Sequence, residues 1–131
     1  MQKTFDNPAA APAPAGPYSQ VVRVDGGDGA LLFVSGQVAL DADGELIGPD
    51  DMTAQSHAVM KAIGAILEAH GAGFDDVVNI RTFLTDMDRL VEYGEVRRRY
   101  LTGEPPSSTT VEISRLFVPG ALLEVDVVAA V

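Results

Sequence analysis

The 131-residue chain carries a formal net charge of −10 at pH 7 and contains no cysteine. The negative charge argues against nucleic-acid binding, and the lack of cysteine excludes disulfides, thiolate metal sites and cysteine nucleophiles. Its length and its 47% content of hydrophobic residues fit one domain over residues 1–131. Because no apolar run approaches the ~18 residues of a membrane span or forms a signal core, we expect a cytoplasmic protein.

An extended N-terminal arm and a β-hairpin are predicted at the start of the chain. Residues 1–15 form the arm, whose proline-rich end and the following Gly16-Pro17 favour extended backbone. Strands over 20–24 and 30–34 flank a turn rich in glycine and aspartate, which tolerate positive φ. The second strand is an apolar run that we expect to be buried on both faces and to end at Ser35-Gly36-Gln37.

Two helices and three strands are predicted over the remainder of the chain. Asp51 or Thr53 caps a helix that runs to His70 and ends at Gly71, with apolar residues at helical spacing. A second helix is predicted over 90–101. Strands are predicted over 77–84, 109–113 and 122–130. This order is typical of an α+β fold with a mixed sheet and both helices on one face.

Alternation in the strands predicts an oligomer. In the strand over 77–84, we assign Val78, Ile80, Thr82 and Leu84 to one face and the intervening residues to the other. In the last strand, the face shared by Leu122, Glu124, Asp126 and Val128 is half apolar and half charged. Two helices cover only one face of such a sheet, and a mixed second face is typical of a subunit interface. We therefore expect a homo-oligomer with sites at its subunit boundaries.

Four short segments stand out along the chain. They are Gly16-Pro17-Tyr18-Ser19-Gln20, Ser35-Gly36-Gln37, Phe83-Leu84-Thr85-Asp86-Met87, and Val111-Glu112-Ile113-Ser114-Arg115-Leu116 ahead of Glu124. In this order and at this spacing, the chain resembles the Rid family (also called the YjgF/YER057c/UK114 family, once labelled L-PSP endoribonucleases). The resemblance implies a chorismate-mutase-like fold, a homotrimer with three clefts between subunits, and no metal or organic cofactor. For the archetypal subgroup it implies hydrolysis of reactive imines and enamines to 2-oxo acids and ammonia.

The resemblance assigns pocket roles to two residues near the N-terminal hairpin. The family's pocket tyrosine matches Tyr18, and its loop serine matches Ser35; the adjacent Gly36 is expected to contact the substrate in the same pocket. Tyr18 is expected either to contact a flat conjugated substrate or to pack as an anchor for the arm. Ser35 is expected either to offer its hydroxyl or a nearby backbone N–H to the substrate, or to serve as a bulge or turn residue.

The glutamate that positions the hydrolytic water in the family matches Glu124. A semi-buried carboxylate with a raised pKa accepts the proton that water loses as it attacks an electrophilic carbon. The alternative role for Glu124 is a structural ion pair with Arg115 or Arg81. Asp126, on the same face of the strand, is expected to be structural or interfacial.

Two positions depart from the archetypal pattern. The arginine that binds the substrate carboxylate falls at Ser108, and a nearby asparagine falls at Gly94; both positions are expected to line the pocket. Replacing a guanidinium by a hydroxyl removes a pair of charge-assisted bonds worth about 1.5–3 kcal/mol. The substrate is therefore expected to lack a carboxylate beside the reacting carbon or to hold it differently, with Arg81 as a candidate second cation.

The remaining cationic and histidine side chains are assigned structural roles. Consecutive residues Arg97-Arg98-Arg99 fan out over different faces of a helix and are expected to form a solvated or interface surface. His57 and His70 are isolated from one another in the sequence, so no zinc site is predicted.

Three functions are compatible with this pattern. The first is a trimeric enzyme that acts on imine or enamine metabolites in inter-subunit clefts, with Glu124 as base. The second is a non-catalytic metabolite-binding or chaperone-like trimer. The third is ribonuclease activity, against which the net charge and the lack of a histidine acid–base pair argue. Neither nucleic acid nor membrane is an expected partner.

Overall fold

Six strands form one mixed sheet, and two helices cover one of its faces. The computed structural model describes all 131 residues. The strands are β1 (Gln2–Asp6), β2 (Val21–Gly26), β3 (Gly29–Gln37), β4 (Val77–Leu84), β5 (Ser107–Glu112) and β6 (Leu123–Ala130), and the helices are α1 (Met52–Ala69) and α2 (Leu90–Tyr100). The spatial order is β1-β2-β3-β6-β4-β5; all pairings are antiparallel except β4 with β5. The predicted α+β fold with a mixed sheet is confirmed.

Helix α1 follows the capping and spacing signals in its sequence. The side chain of Asp51 accepts a hydrogen bond from the Ala54 N–H at 3.0 Å, which identifies Asp51 as the N-cap. After the helix, Gly71 adopts a φ of 73°, a conformation that glycine adopts without strain. The apolar residues at helical spacing, Val59, Ile63, Ile66 and Leu67, are fully buried against the sheet. Neither helix is long and apolar enough to cross a bilayer.

The first strand was not among the predicted elements. Residues 2–6 of the N-terminal arm pair with β2 and form one edge of the sheet. Four of these five residues are exposed, so the segment lacks the buried alternation by which strands are recognised.

Two predictions about strand faces were wrong. Leu31 and Phe33 of β3 are exposed in the chain, because the helices cover only the face of the sheet that carries Ala30, Leu32 and Val34. The strand also continues through Ser35 and Gly36 to Gln37, with a shift in its pairing to β6 between Val34 and Gln37.

In β4, a second register shift between Val77 and Asn79 changes the faces at the start of the strand. Val77 is therefore 5% exposed and packed in the core, whereas Val78 is 48% exposed, the reverse of the prediction. From Ile80 onward the predicted alternation holds: Ile80, Thr82 and Leu84 are buried.

The last strand alternates as predicted and supplies the centre of the sheet. Leu123, Val125, Val127 and Ala129 are buried under the helices. The opposite face, which no part of the chain covers, carries Glu124, Asp126 and Val128 of β6 together with Phe33 and Phe83. We call this the open face; it combines apolar and ionisable side chains.

Candidate functional site

The bulge in β3 places the backbone of Gly36 against the carboxylate of Glu124. A Cβ atom added at Gly36 would lie 2.7 Å from both Cδ and Oε2 of Glu124. The glycine thus lets the carboxylate lie directly on the β3 backbone, and any side chain at residue 36 would displace it.

The Glu124 carboxylate is half-buried and makes neither a hydrogen bond nor an ion pair within the chain. Burial, and secondarily the charge of Asp126, raises the pKa of Glu124. A carboxylate with a raised pKa is a better proton acceptor from water than an ordinary glutamate.

The predicted alternative, a structural ion pair between Glu124 and either arginine, is not formed within the chain. Arg81 instead donates to both carboxylate oxygens of Asp126, with Nε–Oδ1 and Nη2–Oδ2 distances of 3.0 and 2.7 Å. This pairing raises the pKa of Arg81. It agrees with the structural role predicted for Asp126 and engages Arg81, the candidate second cation. Arg115 forms no ion pair.

Ser35 fastens the bulge to the start of β2. Its hydroxyl donates to the carbonyl of Ser19 at 2.6 Å, and its backbone N–H donates to the carbonyl of Gln20 at 2.9 Å. Both donors are therefore used within the chain, while the hydroxyl oxygen can still accept a hydrogen bond.

Tyr18 lies in the same region and is 41% exposed. Its hydroxyl accepts a hydrogen bond from the backbone N–H of Ala15 at 3.2 Å, which attaches the end of the N-terminal arm. The ring keeps enough free surface to contact a ligand. Tyr18 thus has the geometry for both of its predicted roles.

Phe117, which was not among the predicted site residues, borders this region. Phe117 is 61% exposed and, with Tyr18 and Gly36, lines a cavity of only about 20 Å³. An isolated large aromatic residue in the loop before the last strand is the signal that would have identified it. A cavity of this size does not enclose an organic ligand. Phe117 also lines a larger, open cavity of about 710 Å³ formed by Thr85 and the loop over 114–122.

Ser108 and Gly94 belong to a second region, between α2 and β5. Ser108 lies on the helix-covered side of β5, and its Oγ accepts a hydrogen bond from Nη1 of Arg97 at 3.1 Å. The preceding residue, Ser107, lies on the other side and bonds Asn79 at 2.9 Å. Gly94 and Arg97 line a groove of about 320 Å³.

The predicted site residues therefore form two groups on opposite faces of the sheet. Tyr18, Ser35, Gly36 and Glu124 form one group, and Gly94 and Ser108 form the other. Within one chain the structure does not bring the two groups together.

The family model described as Endoribonuclease L-PSP matches residues 8–131 of the chain. Protein DfrA of Myxococcus xanthus is 41% identical over 119 residues, which cover 91% of this chain and 88% of DfrA. The crystal structure of the Rid-family protein YyfA from Yersinia pestis superposes with a TM-score of 0.89 at 32% identity, covering 99% of this chain and 100% of YyfA. The chain belongs to the Rid family. A further relative of this Rid protein, the mouse 2-iminobutanoate/2-iminopropanoate deaminase, is 32% identical over 91% of this chain and 84% of the mouse protein.

Proposed function

We propose that this Rid protein is a homotrimeric enzyme that hydrolyses imine or enamine metabolites in clefts between its subunits, with Glu124 as the general base. The observation that carries the proposal is the Glu124 carboxylate: half-buried, unpaired, raised in pKa, and set against a glycine backbone. A carboxylate that only stabilised the fold would be expected to have a cationic or hydrogen-bonding partner. The name of the mouse relative supports the reaction class.

The reaction needs one group that accepts and then returns a proton. Glu124 takes a proton from water as the water oxygen bonds to the imine carbon, and the electron pair of the C=N bond moves to the protonated nitrogen. The resulting carbinolamine collapses when Glu124 returns the proton to nitrogen. Ammonia then leaves as the Glu124 carboxylate takes the proton of the carbinolamine hydroxyl, and the carbon becomes a carbonyl. A pKa raised toward the working pH suits a carboxylate to each of these transfers.

A trimer is proposed because neither region is a complete site alone. The open face leaves Phe33 and Val78 exposed beside charged residues, a composition that fits coverage by a second subunit. A second subunit on the open face would add side chains around the Glu124 carboxylate, which is only half-buried in its own chain.

The experiment measures ammonia release from two kinds of substrate, together with the mass of the protein in solution. The substrates are 2-imino acids generated from serine or threonine, and imines of similar size that lack a carboxylate. We expect a trimer that releases ammonia from at least one class and a Glu124→Gln variant slowed by about 10²–10⁴-fold. A folded trimer that turns over neither class would overturn the proposal, and ligand binding without turnover would favour the non-catalytic alternative.

Ribonuclease activity is not favoured by the positions of the histidines. Nδ1 of His57 is hydrogen-bonded to the hydroxyl of Tyr100 at 2.9 Å, and Nε2 of His70 to Oδ2 of Asp6 at 2.9 Å. Each ring is thus engaged in a separate structural contact, and the two do not form an acid–base pair of the kind that phosphodiester cleavage uses.

A further inference from the structure

Arg97 has no acidic partner, like Arg98, Arg99 and Arg115, but it is the one arginine of these four whose side chain makes a hydrogen bond. Arg23, Arg81 and Arg89 each lie within 3.1 Å of an aspartate oxygen. The side chain of Arg97 contacts no carboxylate and donates one hydrogen bond, to the neutral Oγ of Ser108. A guanidinium has five N–H donors, so most of the hydrogen-bonding capacity of Arg97 is unused.

The groove beside this pair has the size and charge of a small anion site. It encloses about 320 Å³, within the range of pockets that hold small organic ligands. Its lining includes Arg97, Arg98, Gly94 and Thr110 but no aspartate or glutamate, although the whole chain has a net charge of −10. Gly94 has nothing within 4 Å of the position that a Cβ would take, which leaves the floor of the groove open.

Position in the helix does not explain the orientation of Arg97. All of Arg97, Arg98 and Arg99 lie in the last turn of α2, where the helix dipole favours cations. Arg99 is exposed and lies outside the groove, whereas Arg97 is partly buried and directed to Ser108. The contact with the hydroxyl engages one nitrogen, and the other N–H groups of this groove-lining side chain form no hydrogen bond within the chain.

We propose that Arg97, positioned by Ser108, is the anion-binding residue of the cleft and holds a substrate carboxylate from helix α2. The archetypal arginine is absent at residue 108, but a guanidinium nitrogen lies 3.1 Å from the side chain that replaces it. This inference rests on the proposed function and narrows its substrate class to small 2-imino monocarboxylates. Of the two options that the sequence left open, it selects a substrate that keeps its carboxylate but binds it through a different residue. Arg97 makes no covalent step; it binds and orients.

The test measures binding of 2-oxobutanoate, the product expected from a four-carbon imino acid, by titration calorimetry on the whole protein. We expect Arg97→Met to weaken binding at least tenfold, because two charge-assisted bonds are lost. The matched control, Arg99→Met, removes the same charge from the same helical turn and is expected to stay within about twofold, since long-range charge effects are screened by salt. Melting temperature and solution mass verify that both variants fold and assemble.

A charge-relocation variant gives a second measurement. Arg97→Met combined with Ser108→Arg moves the guanidinium from α2 to β5 and is expected to recover most of the lost affinity. Equal binding by Arg97→Met and the unmodified protein, or no binding of 2-oxobutanoate by the unmodified protein, would overturn the anion site.

The same variants separate this inference from the proposed hydrolase. If 2-oxobutanoate binding depends on Arg97 but no ammonia is released from any imine, the anion site is supported and the proposed hydrolase activity is overturned. If the protein hydrolyses carboxylate-free imines as well as imino acids, and Arg97→Met does not change the rates, the hydrolase activity is supported and the anion site is overturned.

Discussion

Replacing Gly36 by alanine should displace the Glu124 carboxylate while leaving the fold intact. The added Cβ would lie 2.7 Å from Cδ and Oε2 of Glu124, whereas ordinary contact begins at 3.4 Å, so restoring ordinary contact moves the carboxylate by about 0.7 Å. Gly36 does not have a left-handed φ, so the backbone accepts alanine. Displacement of a catalytic group by about 1 Å costs up to ~10²-fold in rate. We expect kcat to fall by about 10–100-fold, or ~1.4–2.7 kcal/mol in the barrier.

The stability of the same variant should change little, because the displaced atoms are at the end of a flexible side chain. We expect the free energy of unfolding to change by less than about 1 kcal/mol. Ammonia release gives the rate and thermal denaturation gives the stability. The control is Gly73→Ala, where a Cβ meets nothing within 4 Å and φ is −144°. A Gly36→Ala protein with undiminished turnover would refute the assignment of Glu124, in this position, as the base.

Three further changes test the electrostatics and the core. Glu124→Gln should raise the melting temperature at neutral pH, because the raised pKa of Glu124 in the folded protein makes its ionisation destabilising. This gain should vanish as the pH falls below the ordinary glutamate pKa of 4.5. An equal gain in acid would contradict an origin in the ionisation of Glu124. Arg81→Gln removes the cation that neutralises Asp126, so the acidic limb of the pH–rate profile should move to higher pH; an unmoved limb would show that the pair does not act on Glu124. Thr82→Val leaves the buried hydroxyl of Tyr93 without its 2.7 Å partner and should cost about 1–3 kcal/mol in urea denaturation; an unchanged midpoint would mean that another group satisfies Tyr93.

Elements that bury one face could be predicted from the sequence, because the spacing of their apolar residues marks the buried face. Helix α1 and the alternation in β6 were confirmed for this reason. Predictions failed where pairing between strands controls the outcome. The exchange of faces between Val77 and Val78 comes from a bulge, and a bulge depends on the partner strand.

The contacts of the candidate site are likewise set by long-range pairing. The proximity of Gly36 to Glu124 depends on β3 lying beside β6, two segments far apart in the sequence. Three consecutive arginines are expected to fan out from a helix, which correctly leaves Arg98 and Arg99 exposed. The same pattern gives no indication that Arg97 reaches β5, because β5 is placed by its parallel pairing with β4.

The position of β6 between β3 and β4 has a consequence for how the protein is made. During synthesis β6 leaves the ribosome after every other strand, yet it hydrogen-bonds the two halves of the sheet on both of its edges. Strands β1–β3 and strands β4–β5 make no direct strand contact with each other. The two parts of the sheet are therefore joined only after residue 130 has been translated. A nascent chain stalled before Leu123 would leave the edges of β3 and β4 without their β6 partner. Unpaired strand edges promote aggregation and chaperone binding.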